Sequence, residues 1–303
     1  SIQVVTGAWN KEVFDSIKDL SVESVVQIKG LLKESKQVPE GVEIDASSII
    51  IQSLAQPLPI PVVSEKGAEE VDVTKRFDYR WLDLRKPDSQ KIFQVWTVLE
   101  QGIREYFSQN GFTQLYSPAL MSAPSESGAE VFEVKYFEGK AYLAQSPQFY
   151  KQMAIASGFE KVFMVGPVFR AELSFTTRHM TEFTGWDFEI AHITSHHDVM
   201  DTEEAMLKSG FAKLKSAGLI EEEIKVPFAR LTLAETKEKL KAAGITSDKE
   251  GDLSPDEERG ICKIVKEESG SEFVFITDYP KAHRAFYHMR DDSTGLTKGF
   301  DLL

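Results

Sequence analysis

The chain has 303 residues, 42% of them apolar, with 35 Lys and Arg against 48 Asp and Glu for a formal net charge of −13. A surface of that sign repels nucleic acid as a whole, so a nucleic-acid partner needs locally basic strips. The lone cysteine, Cys262, excludes an internal disulfide and a cysteine-built zinc site; with no apolar run of about eighteen residues and no signal-peptide pattern, the expectation is a cytoplasmic protein without a membrane span.

Residues 1–62 read as a small β-rich unit. Residues 2–5 open as a strand, 12–20 have helical spacing, 24–32 are β-branched and alternating, and 43–54 give one or two further strands. Strand, helix, strand, strand fits either the back half of a five-stranded OB barrel or a generic small β domain. Pro57, Pro59 and Pro61 forbid a helix and stiffen an extended linker over 57–75, with the hinge at 63–75. Ile92, Val95, Trp96, Leu99, Ile103, Tyr106 and Phe107 follow the i, i+3, i+4, i+7 rule, which predicts a helix over 89–109 stopped by Asn110-Gly111. A strand over 112–116 ends at Ser117-Pro118, and 121–134 is rich enough in Ser, Gly and Pro to be a loop. Pro147 suits a first helical turn, after which Gln148 and Lys151, three apart, share a helix face.

The densest chemistry lies at 162–189. An apolar strand at 162–165 leads to Arg170 and Glu172, two apart and therefore on one face of a strand. A polar loop carries Arg178 and His179 at its far end, and the return strand places Asp187 and Glu189 on one face. Two readings compete: an exposed hairpin laced with ion pairs, or a site whose guanidinium groups grip a polyphosphate while Phe183 stacks on a base. His192, His196 and His197 invite a metal, but neighbouring histidines point to different sides of a regular element, so solvated or capping roles are expected. Helices are predicted over 198–214, over 231–243 up to Gly244, and over 256–269, followed by a buried strand within 272–280.

Three words in this stretch carry a resemblance. GPVFRAE (166–172), RHMTEF (178–183) and the D-x-E of 187–189 resemble motif 2 of the class II aminoacyl-tRNA synthetases, in the form of the aspartyl branch. LAQSPQFYKQ (143–152) resembles that branch's amino-acid recognition strand and helix, the 89–109 helix with the strand up to Pro118 resembles motif 1, and RAFYHM (284–289) resembles its RPFYTM strand. The resemblance implies an α+β chain: a class II antiparallel sheet flanked by helices over 76–303, a small helical insertion at about 210–265, and before them a partial OB-fold anticodon-binding domain at 1–62 lacking its first two strands.

It further implies an aspartate–tRNA ligase, which activates L-aspartate with ATP and passes it to tRNA(Asp), working as a homodimer through motif 1. Catalysis would fall to Arg170 and Glu172. Aspartate would meet Glu126, Gln145, Ser146, Gln148, Lys151, Arg170 and Asp187. ATP would meet Arg170, Ala171, Glu172, Arg178, His179, Met180 and Phe183. Lys151, pairing with the side-chain carboxylate, would separate aspartate from asparagine. The family's magnesium ligands and motif 3 have no counterpart before Leu303, so the expectation is a chain incomplete at both ends, using Mg2+ without holding a metal ligand of its own. The chain departs from the family at Ser127, where a glycine is usual, at Leu173, Phe175 and Thr177 in the motif 2 loop, and at Ala285 and His288. A non-catalytic tRNA- or protein-binding paralogue or fragment, and an amidating enzyme that makes asparagine, stay open. Whether tRNA(Asn) is also charged does not follow from these residues.

Overall fold

The computed structural model describes residues 2–7, 10–39, 41–63, 71–125, 131–171 and 180–303. The chain forms two compact units, Ser1–Phe93 and Gln94–Leu303.

In the first unit, β1 (Gln3–Val5), α1 (Lys11–Ser16), β2 (Val25–Glu34) and β3 (Val42–Ser53) appear in the expected order. The 43–54 stretch is one long strand, which takes the centre of a three-stranded sheet, parallel to β1 and antiparallel to β2. Two short helices follow, α2 (Val73–Asp78) and α3 (Arg80–Asp83), and then α4 (Pro87–Gln109), which continues into the second unit. Asp83 is fully buried. A carboxylate out of water must be paired, and Asp83 accepts from Arg76 Nε at 2.9 Å and Arg80 at 2.9 Å, with Lys86 Nζ at 3.3 Å. The Arg76 hydrogen bond foremost, against the cost of burial, holds this carboxyl below the usual carboxylate range.

The second unit continues with β4 (Thr113–Leu115), β5 (Leu120–Met121), β6 (Glu133–Tyr136), β7 (Gly139–Leu143), α5 (Gln148–Ala156), β8 (Lys161–Phe169) and β9 (Glu182–Ile190). After these come α6 (His196–Ser216), β10 (Ala229–Thr232), α7 (Leu233–Ala242), α8 (Pro255–Ser269), β11 (Val274–Thr277), β12 (Arg290–Asp291), β13 (Leu296–Thr297) and β14 (Phe300–Leu302). Strand β8 runs parallel to β4 and antiparallel to β9, while β11 runs parallel to β10 and antiparallel to β14. One face of β8 and β9 is sealed by α4 and α6: Phe107 stacks on Phe163 with centroids 4.6 Å apart, among Phe112, Phe188 and Met206. The α4–α6 crossing is tight. A Cβ on Gly102 would stand 2.8 Å from the Gly210 Cα, so only glycine fits there. Leu240, Ile261 and Val265 of α7 and α8 close over Val274 and Ile276 of β11.

Four expectations are corrected. The helix predicted from Leu231 starts at Leu233, because residues 229–232 pair with β11 and Thr232 caps the helix, accepting from Glu235 N at 3.1 Å. Pro147 stands at the N-cap of α5, one place before the first turn. Residues 284–289 do not form a strand: Arg284, paired with Asp301 and 3.6 Å over the Tyr279 ring, is extended, but the chain then turns, the His288 amide donating to Ala285 O at 3.1 Å. His196 and His197 do not diverge, their rings being 4.4 Å apart in the first turn of α6.

Glu257 of α8 is almost fully buried and receives Lys237 Nζ at 2.7 Å, Ser247 Oγ at 2.6 Å and the Ser254 amide at 2.8 Å. Burial alone would raise its pKa. The three donors outweigh burial and bring it from 4.5 to about 2. A depressed carboxyl stabilises the fold above its unfolded pKa and loses that contribution as pH falls through the folded value. Urea unfolding should therefore show wild-type stability dropping between about pH 5 and pH 2 by about 3 kcal/mol more than in Glu257→Gln.

Candidate functional site

The antiparallel register sets Val168 opposite Phe183, Gly166 opposite Gly185, Met164 opposite Asp187 and Val162 opposite Glu189. Side chains alternate between the faces of a strand. With Phe163, Trp186 and Phe188 committed to the core behind, the other face presents Phe183, Gly185, Asp187 and Glu189 beside Met164, Gly166 and Val168. Arg170 follows β8 directly, its amide donating to Thr181 O at 3.0 Å, so the same alternation extends to it.

At the inner end of this face stands Lys151 of α5, only 5% exposed. Its Nζ is 2.9 Å from Asp187 Oδ1 and 3.6 Å from Glu189 Oε2, and Gln148 reaches Glu189 Oε2 at 3.5 Å. The helical spacing of 148 and 151 and the strand spacing of 187 and 189 thus converge on one cluster. At the outer end the Arg170 guanidinium sits 5.5 Å over the Phe183 ring, and its buried Nε has no acceptor among the described residues. A buried donor of that kind is open to an acceptor that a ligand could bring.

Between the two ends the face is open over Gly166, where a Cβ would meet nothing within 4 Å, and filled over Gly185, where a Cβ would stand 2.8 Å from Val168 Cγ2 and 3.2 Å from Asp187 Oδ2. The two glycines face each other along a trough of about 13 Å from Phe183 to Asp187, four residues at about 3.3 Å each, with its bare floor at Gly166. The sequence reading did not single them out. The available signal was one glycine in each strand of the hairpin, a frequent mark of close approach by a ligand or backbone.

Residues 144–146 border the face. Gln145 is 0% exposed and its Oε1 accepts from the Ser125 amide at 3.2 Å, while Ser146 Oγ accepts from the Gln148 amide at 3.3 Å. Ala171 is half-buried and Met180 is exposed. Glu126, Ser127, Glu172, Leu173, Phe175, Thr177, Arg178 and His179 lie outside the described residues.

The histidines make no metal centre: no group of three or more His, Cys, Asp or Glu among the described residues could hold an ion. The acids in the trough are engaged with Lys151, so these residues do not fit a magnesium ion and no step is assigned to one. His196 instead borders a separate cavity of about 450 Å³ with His288 and Lys298, and burial, chiefly, pushes its pKa down.

A trough with a stacked arginine at one end and a buried, acid-ringed lysine at the other suits a zwitterion joined to a nucleotide. Residues 72–303 match the family model for class II tRNA synthetases (D, K and N). The chain belongs to the class II aminoacyl-tRNA synthetases. It is 39% identical to an aspartate–tRNA(Asp) ligase of Picrophilus torridus, over 99% of this chain and 71% of the relative. It is 36% identical to an aspartate–tRNA(Asp/Asn) ligase of Aeropyrum pernix, over 99% and 70%. Among solved structures it resembles the asparaginyl-tRNA synthetase of Pyrococcus horikoshii complexed with asparaginyl-adenylate, with a TM-score of 0.81 and 30% identity over 100% of this chain and 70% of that one. The aspartyl-tRNA synthetase of Entamoeba histolytica aligns with a TM-score of 0.76 and 30% identity, over 99% and 66%. These likenesses bear out the aspartyl-branch resemblance and the class II α+β fold.

Class II synthetases use ATP as a substrate, and the bare floor is where a triphosphate can lie close to the sheet. In this synthetase, Gly166→Val adds a side chain that points into open space. Its melting temperature should stay within a few degrees of wild type, while calorimetry should show ATP binding weakened at least tenfold.

Proposed function

We propose that the chain activates L-aspartate with ATP and passes the aspartyl group to tRNA(Asp). The observation that supports this reading is the charge pattern of the trough. Lys151, Arg170, Asp187 and Glu189 sum to zero, in the order cation, two acids, cation. Aspartate brings one ammonium and two carboxylates. Its ammonium can replace Lys151 on Asp187, Lys151 can then hold its side-chain carboxylate together with Glu189, and its α-carboxylate is left for Arg170, so three cations serve four carboxylates with Lys151 shared between two. Asparagine brings no second carboxylate, so its amide would offer Lys151 no charge in exchange for Asp187 and leave it Glu189 alone, at 3.6 Å.

Adenylation then requires an α-carboxylate oxygen to attack the α-phosphorus of ATP as pyrophosphate departs. The protein's part is alignment and neutralisation of the developing charge. Arg170, its Nε without an acceptor among the described residues, would bind both reacting anions in this reading, and Phe183 would offer its ring to the adenine. Gln148 and Ser146 hold the start of the Lys151 helix. Glu126, Glu172, Arg178 and His179 keep the roles the resemblance gives them, with Ala171 and Met180 flanking the nucleotide. Mg2+ accompanies ATP in this reading without a ligand set among the described residues. The same reading assigns residues 1–62 to a partial OB-fold that meets the anticodon, 63–75 to a hinge and 76–303 to the catalytic domain, in a cytoplasmic enzyme. No helix among the described residues is long and apolar enough to cross a membrane. Trp96 at 60% and Tyr116 at 80% exposure support a homodimer through the 89–118 segment. A non-catalytic paralogue has no need of a buried lysine ringed by acids.

ATP–pyrophosphate exchange tests the reading with the three amino acids of the wider family. L-aspartate should drive exchange, and L-asparagine and L-lysine should not. Lys151→Met should lower kcat/KM for aspartate at least a hundredfold, since breaking a buried pair costs about 3–5 kcal/mol. Equal stimulation by asparagine, or an indifferent Lys151→Met, would defeat the proposal.

A further inference from the structure

Residues 144–146 join three separate pieces of the trough. The Ala144 amide donates to Ala119 O at 2.9 Å, and Ala144 O accepts from the Phe169 amide at 2.8 Å, one residue before Arg170. Ser146 Oγ accepts from the first amide of α5, one turn ahead of Lys151. Gln145 and Ser146 both hold Ser125: the carboxamide Oε1 takes its amide at 3.2 Å, and the Ser125 hydroxyl lies 3.4 Å from both Ser146 Oγ and Ser146 O.

We propose that Gln145 is a positioning residue for the amino-acid substrate rather than a contact to it: its carboxamide fixes the 119–125 segment against the strand exit that carries Arg170 and the helix that carries Lys151. This rests on the aspartate-activating reading above and revises one role within it. The side chain is wholly closed to solvent, and its acceptor oxygen already has a partner within the protein. A buried carboxamide is costly unless its atoms are bonded, and here the acceptor is committed to a backbone amide 20 positions away in sequence. Neither a methionine nor a leucine of similar volume could hold that amide, and a glutamate would bury a charge. The bond matters to the substrate because it ties the 119–125 segment to the strand exit that carries Arg170 and to the helix that carries Lys151.

The test is Gln145→Met, which keeps length and volume and deletes the acceptor. Amide hydrogen exchange should show Ser125 deprotected at least tenfold. In pyrophosphate exchange the KM for aspartate should rise at least tenfold, while the KM for ATP stays within twofold. Ser125→Pro, which deletes the donor on the opposite side of the same bond, should reproduce the aspartate defect and stands in if Gln145→Met does not fold. The double variant should be no worse than either single one, as expected for two ends of one contact. A normal aspartate KM in Gln145→Met, or additive losses in the double variant, would overturn the assignment and leave the ligase reading standing. A wild-type chain without aspartate-dependent exchange would overturn both.

Discussion

A buried ammonium cannot be left alone. Lys151 is closed off by the helix that carries it and by the sheet beneath, and it survives there because Asp187 and Glu189 stand within reach. That requirement explains much of the surrounding architecture. The two acids must share a sheet face, so they are two apart on β9. The lysine must descend onto them from α5, so the helix has to start at a fixed place. Residues 144–146 fix that start, and the aromatic layer behind β9 keeps the strand from rolling. The acids that hold the lysine are the same groups that the proposed reading gives to an incoming ammonium.

What was legible in the sequence followed the reach of each interaction. The pairs Gln148–Lys151 and Asp187–Glu189 depend on local periodicity alone, and both came out on the expected faces. The hairpin around Arg170 and Phe183 was legible for the same reason. What escaped depends on register or on partners distant in the chain. Gly166 and Gly185 form a floor only because the hairpin aligns them, and a shift of one residue would have put each opposite a side chain. Residues 231 and 232 look like the start of a helix until β11, more than forty positions later, claims 229–232 as a parallel neighbour. Residues 284–289 look like a strand, but the chain turns at 285–288, where the His288 amide bonds back to Ala285 O. The notion that His196 and His197 must diverge treated the start of a helix as if it were a strand.

Burial also separated two kinds of polar residue that the sequence presents alike. In the word LAQSPQFYKQ, Gln145 and Gln148 are the same residue three positions apart. One faces the acids of the trough, and the other points away into the protein to grasp a backbone amide. A motif names positions that matter together without saying which of them meets the ligand. Only solvent exposure and hydrogen-bond partners distinguish the two.

The meeting of Gly102 and Gly210 carries a mechanical consequence. Here α4 and α6 approach closely enough that a Cβ on Gly102 would meet the Gly210 Cα, with Leu99 and Ile103 packed over Gly210. A side chain at either glycine would have to part the two helices. Because Phe107 of α4 and Met206 of α6 belong to the layer that backs Phe163 and Phe188, a wider crossing would loosen the support of the acid-bearing strand.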